Sequence, residues 1–112
     1  MNIIETETTV LNDRLEAVAQ VLGIKTAMGF AALHQMACNA QLLDRKQQDY
    51  GSSNISDCGE VGIVVRCNDK IARLKNLVLK SQTPNHESIS DSWQDLANYA
   101  VIAQLVRKGV WK

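Results

Sequence analysis

Residues 88–108 read SISDSWQDLANYAVIAQLVRK, and this stretch decides the fold. Trp93, Leu96, Ala100, Ala103 and Val106 recur at intervals of three and four, the period of an α-helix. Gly109 follows as a stop. Arg107 and Lys108 suit the negative end of the helix dipole. A helix this long needs neighbours of its own kind. Upstream, Ser81 to His86 with Pro84 reads as a turn. Before it, Val64, Ile71, Leu74, Leu77 and Val78 mark another helix. Its beginning, VGIVV at 61–65, is β-branched and also compatible with a short strand. The stretch GSSNISDCGE at 51–60 is a loop by composition.

Further upstream, Thr26 can cap a helix that runs to about Gln48. Phe30, Leu33, Ala37, Ala40 and Leu43 mark one face of it, and Tyr50-Gly51 stops it. The first helix carries Leu11, Leu15, Val18 and Leu22, with Thr9 or Asn12 as its cap and Gly23 as its end. Residues 1–9 have no stripe and read as a loose arm. The expectation is all-α: a single domain over 1–112, an antiparallel bundle of about four helices.

Composition narrows the function. The chain has 112 residues, 46% of them hydrophobic and 21% charged, which suits one folded domain. Twelve basic residues balance twelve acidic ones, which argues against nucleic acid or an anionic membrane as partner. No apolar run is long enough to span a bilayer, and the polar start does not read as a signal peptide. Three cysteines, Cys38, Cys58 and Cys67, form no CxxC pair, so a reducing cytoplasm is expected. Val101, Leu105, Val110 and Trp111 are additional to the core stripe of the last helix, and a homo-oligomer would bury them.

Charge sums to zero but is unevenly placed. Arg66, Asp69, Lys70 and Arg73 share one side of the third long helix by their spacing. Such a face could take phosphates and a metal, or it could be a solvated face with an Asp69–Arg73 pair. Asp91 and Asp95 are four apart, with Asn98 and Tyr99 one turn on. They could hold magnesium through oxygens and water, or meet the cations of the preceding helix. Asp49, Tyr50 and Gly51 stand where a helix gives way to the loop, as the mouth of a pocket or as a simple helix end. His34 and His86 lie outside these groups. No GxSxG, Walker or GxGxxG motif is present.

Three blocks carry a resemblance: KQQDYG at 46–51, VRCNDKIARLKNL at 65–77 and DSWQDLANYAVIA at 91–103. Together they resemble the nucleotide-modification-associated domain family, the first of that name, found in phages and bacteria. The resemblance covers roughly residues 40–108. It implies an all-helical domain tied to nucleotide metabolism. It also suggests a distant similarity to MazG-like all-α pyrophosphohydrolases, which use magnesium to cleave a nucleoside triphosphate to monophosphate and pyrophosphate. Those enzymes carry an ExxE pair and then an ExxD pair. This chain offers Asp69 alone, then Asp91 and Asp95.

Two readings follow from the resemblance. In the first, a (d)NTP is hydrolysed. Magnesium rests on the catalytic carboxylates Asp69, Asp91 and Asp95, with Asp49 or Glu87 as further ligands. Arg66, Lys70 and Arg73 take the phosphates, and Tyr50, Asn98 or Tyr99 contacts base or sugar. In the second, the same residues hold a nucleotide or cyclic nucleotide without turnover, as a phage anti-defence protein sequestering an immune signal would. The thin carboxylate set weighs on hydrolysis more than on binding, but the chemistry of the resembled family makes hydrolysis the leading expectation and binding the alternative.

Overall fold

The computed structural model describes residues 3–112, with side chains from Val10 onward. The described chain is all-α. Its helices are α1 (Ile3–Leu22), α2 (Ala27–Tyr50), α3 (Ser53–Ser56), α4 (Gly59–Leu74) and α5 (Ile89–Arg107). A π-helical turn, Lys75–Leu79, continues α4. Four of the helices are long, as the periodicity predicts. VGIVV is helical. The expected loop at 51–60 contains α3, which seats Ile55 in the core at 4% exposure. Residues 3–9, expected to be part of a loose arm, continue α1, while Met1 and Asn2 lie outside the described residues. No single described helix is long and apolar enough to cross a membrane.

The chain divides into two compact units, Met1–Gln41 and Leu42–Lys112. In the first, Gly23 takes a left-handed φ of 73° and closes α1. Its N–H reaches the Gln20 carbonyl at 3.1 Å and the next N–H, from Ile24, reaches Ala19 at 2.9 Å. This satisfies carbonyls that a helix end otherwise leaves bare. Thr26 caps α2 as expected, its Oγ1 accepting from the Gly29 N–H at 2.9 Å. Among the described side chains of α1, Leu15 and Ala19 are buried, whereas Val18 and Leu22 are exposed.

The second unit holds the last turns of α2 with α3, α4 and α5. α4 and α5 run against each other along most of their length. Ile55, Ile63 and Ile102 form the core, and Leu43, Cys67, Tyr99, Ala103, Val106 and Trp111 pack around them. The apolar contact of α4 runs through Ile63, Cys67 and Leu74, while Val64 is exposed. Lys70 falls in that same stripe by spacing, and it ends up facing α5.

The larger departure is on α5. Its buried residues are Ser92, Asp95, Asn98 and Ile102. Trp93, expected in the core, is 56% exposed. The polar face turned inward because basic side chains from α2 and α4 meet it, and a paired polar group can be buried where an orphan cannot.

Ser88 fixes where α5 begins. Its hydroxyl accepts from the Asp91 N–H at 3.1 Å, and the Asp91 carboxylate accepts from the Ser88 N–H at 3.2 Å. This reciprocal pair satisfies two donors at once. Ser88→Ala is expected to cost about 1 kcal/mol, measured by urea denaturation. A change under a few tenths would show that the cap contributes nothing.

Candidate functional site

A cavity of about 370 Å³ opens in the second unit between the end of α2, α3, α4, α5 and the C-terminal tail. Its aromatic side chains are Tyr50, Tyr99 and Trp111, and its cations are Lys46 and Arg66. Asp95, Asn98, Gln47 and Asn54 supply the remaining polar wall, over an apolar floor of Leu43, Ile55 and Ile102. The helix end at Tyr50-Gly51 does form the rim of a pocket. Tyr50 is 65% exposed there.

Asp95 is the electrostatic centre. It is 6% exposed, and each of its carboxylate oxygens receives a lysine ammonium at 2.8 Å, Oδ1 from Lys46 and Oδ2 from Lys70. Burial pushes this carboxyl up, but the hydrogen bonds and charges of Lys46 and Lys70 outweigh it and hold the group below its ordinary value. Lys70 moves in the complementary sense. Its hydrogen bond with Asp95 raises it against a smaller effect of burial, and Glu87 at 3.3 Å adds to the rise. Both partners are therefore charged near neutral pH.

Arg66 enters from α4 and donates through Nη2 to the Asn54 carbonyl at 2.8 Å. This bond ties α3 to α4 and aims the guanidinium at the cavity. Asn54 Oδ1 is the one buried side-chain polar atom among the described residues that has no hydrogen-bond partner. The tail closes the far side. Trp111 Nε1 donates to the Ser52 carbonyl at 3.1 Å, and the Ser52 hydroxyl donates to the Lys112 carbonyl. Trp111, one of the residues a homo-oligomer is expected to bury, packs against the core of its own chain.

The structure thus gathers Tyr50, Arg66, Asp95, Asn98 and Tyr99 of the sequence-derived set around one cavity. Lys70 stands behind Asp95. Arg73 does not reach the cavity. Its Nη1 donates to the Ser92 hydroxyl at 2.6 Å and to the Ser88 carbonyl at 3.2 Å, while Nη2 donates to the Glu87 carbonyl. This is a brace between α4 and the start of α5, not an anion site. The sequence reading passed over Lys46, Asn54 and Trp111. Lys46 opens the KQQDYG block, a signal that was available.

The carboxylates expected to share magnesium are scattered. Asp69 is exposed on α4, Asp91 caps α5, and Asp95 is taken up by two ammonium groups. Asp49 is exposed at the end of α2, and Glu87 is engaged by Lys70. Among the described residues no group of three His, Cys, Asp or Glu side chains is arranged to hold a metal. The expected carboxylates therefore do not converge on one shared point.

Residues 46–106 match the model of a family described as Nucleotide modification associated domain 1. The match begins on Lys46 and takes in α3, α4 and nearly all of α5, the elements that build the cavity. No curated protein and no solved structure matches the chain.

Proposed function

The chain belongs to the Nucleotide modification associated domain 1 family, and from that premise we propose that it binds a nucleotide in the cavity beside Asp95. One observation carries the reading. Tyr50, Tyr99 and Trp111 share a space of about 370 Å³ with Lys46 and Arg66. Aromatic faces accept a nucleobase of any kind by stacking. A guanidinium and an ammonium accept phosphate oxygens by charge-assisted hydrogen bonds. The apolar floor with a few convergent polar groups is the usual make-up of a small-molecule site. Asp95 and Asn98 stand where hydroxyl or amine groups of the ligand would meet them.

Capture without turnover fits this arrangement better than hydrolysis. Attack of water on a phosphoanhydride needs a Lewis acid or a base. Asp95, the carboxylate in the wall, already serves two lysines. The pyrophosphohydrolase reading rests on resemblance alone.

A thermal-shift series against nucleotides and cyclic nucleotides, with and without magnesium, separates these readings. A bound ligand raises Tm by mass action. The expected result is a shift in chelator, with the ligand recovered intact by chromatography. Recovery as monophosphate plus pyrophosphate, dependent on magnesium, would establish hydrolysis. No shift with any nucleotide would remove the nucleotide reading. In the same assay Tyr50→Ala should weaken binding about tenfold, the lower part of what one base–aromatic stack contributes. Its own Tm should not move, because Tyr50 is mostly exposed.

A further inference from the structure

We propose that the cavity takes a nucleotide carrying a single phosphate group, and that Lys46 and Arg66 read that phosphate. This rests on the nucleotide reading above and specifies its ligand. Charge sets the limit. Lys46, Arg66 and Asp95 line the cavity, while Lys70 behind Asp95 also meets Glu87. Three cations against two carboxylates leave one net positive charge. A phosphate monoester brings a charge of about −1.5 to −2 near neutral pH. A triphosphate brings roughly twice that or more, and would need cations or a metal to match it. Beyond Lys46 and Arg66, no further cation lines the cavity among the described residues.

The pairing of Asp95 supports the same ligand. Lys46 is 48% exposed and reaches Asp95 Oδ1, while the more enclosed Lys70 reaches Oδ2, each at 2.8 Å. A carboxylate with one lysine could not release it cheaply, because an unpaired buried charge is costly. Here Lys70 stays as the standing partner. Lys46 is free to turn to an incoming phosphate, and Asp95 is not stranded. Arg66 contributes the second contact. Its bond to the Asn54 carbonyl uses one of five N–H donors and fixes the guanidinium in the wall. Two cations of this kind match the charge of one phosphate.

The test is calorimetric titration of the full chain, in chelator, with adenosine, guanosine, cytidine, uridine and thymidine and with their 5′-mono-, di- and triphosphates. For whichever base binds, the monophosphate should bind about tenfold or more tighter than its nucleoside, the scale of a charge-assisted contact. The second and third phosphates should add no affinity. Lys46→Gln and Arg66→Gln should each pull the monophosphate's affinity back toward that of the nucleoside. Lys46→Gln is the safer variant for folding, because Lys70 still holds Asp95. A triphosphate tenfold tighter than the monophosphate would overturn the proposal. So would a nucleoside that binds as well as its monophosphate, although nucleotide binding itself would then stand. Failure of every nucleoside and 5′-nucleotide to bind would overturn the proposal, and failure of the cyclic nucleotides as well would overturn the nucleotide reading.

Discussion

Replacing Arg73 by alanine is expected to destabilise the protein by about 2 kcal/mol, mainly the cost of leaving the buried Ser92 hydroxyl without its donor. On a chain of this size that lowers Tm by about 10 °C. Ser92 is fully buried, at 0% exposure, and its hydroxyl accepts from Arg73 Nη1 at 2.6 Å. The same guanidinium holds the carbonyls of Glu87 and Ser88, the residues that lead into α5. Alanine leaves the hydroxyl without this donor and frees the N-terminus of α5 from α4. Arg73→Lys should recover only part of the loss. An ammonium is a point charge and cannot span three acceptors as a planar fork does. Nucleotide affinity, measured at a temperature where the variant is folded, should stay within about threefold of the parent. The phosphate role suggested by the spacing of Arg66, Lys70 and Arg73 predicts the reverse: unchanged Tm and lost binding. Thermal denaturation followed by circular dichroism, paired with the titration, decides between them.

Which parts of the molecule were legible in the sequence follows from what periodicity can see. Thr26, Gly23 and Gly109 punctuate helices through backbone chemistry local to each residue, so they read correctly from the string. The inward face of α5 did not. Trp93, Leu96 and Ala100 look like a core stripe only if polar residues must face water. Ser92, Asp95 and Asn98 are buried because Arg73, Lys46 and Lys70 arrive from other helices to meet Ser92 and Asp95. No local window contains both halves of such a pair. Among the described residues, Ser81 departs from ordinary punctuation, taking a left-handed φ of 52° where glycine is usual. Its N–H bonds the Val78 carbonyl and the following N–H bonds Leu77, so the π-turn is closed by geometry that composition does not announce. The cavity was half legible. Tyr50, Arg66, Asp95, Asn98 and Tyr99 fall within matched blocks, whereas Asn54 sits in a stretch that reads as loop and Trp111 in a tail with no period.

Asp95→Ala should be the most damaging single change, at about 2–3 kcal/mol, below the range for a fully buried ion pair because both lysines keep some contact with solvent. The loss comes from what remains. Lys70 has a side chain only 20% exposed and would keep Glu87 alone as its partner, itself 44% exposed. Lys46 matters less, because it is half in solvent already. The pH profile identifies the mechanism. Asp95 is held below its ordinary value of 3.8, so its contribution is complete above that pH. It is lost as the pH falls through the lower folded value, because there the unfolded chain binds the proton more readily. Lys70 is held above 10.5, so its contribution is complete below that pH and is lost as the pH rises through the higher folded value. The stability difference between the parent and Asp95→Ala should therefore be flat from about pH 5 to pH 9 and shrink at both ends. If burial of the side chain's shape were responsible instead, the difference would not respond to pH. The double variant Asp95→Leu with Lys70→Met then makes the sharper test. It removes both charges together and should regain much of what Asp95→Ala loses, because an apolar pair of similar volume replaces an ion pair at little net cost. A double variant no more stable than Asp95→Ala would mean that the carboxylate serves the fold through something other than its lysines.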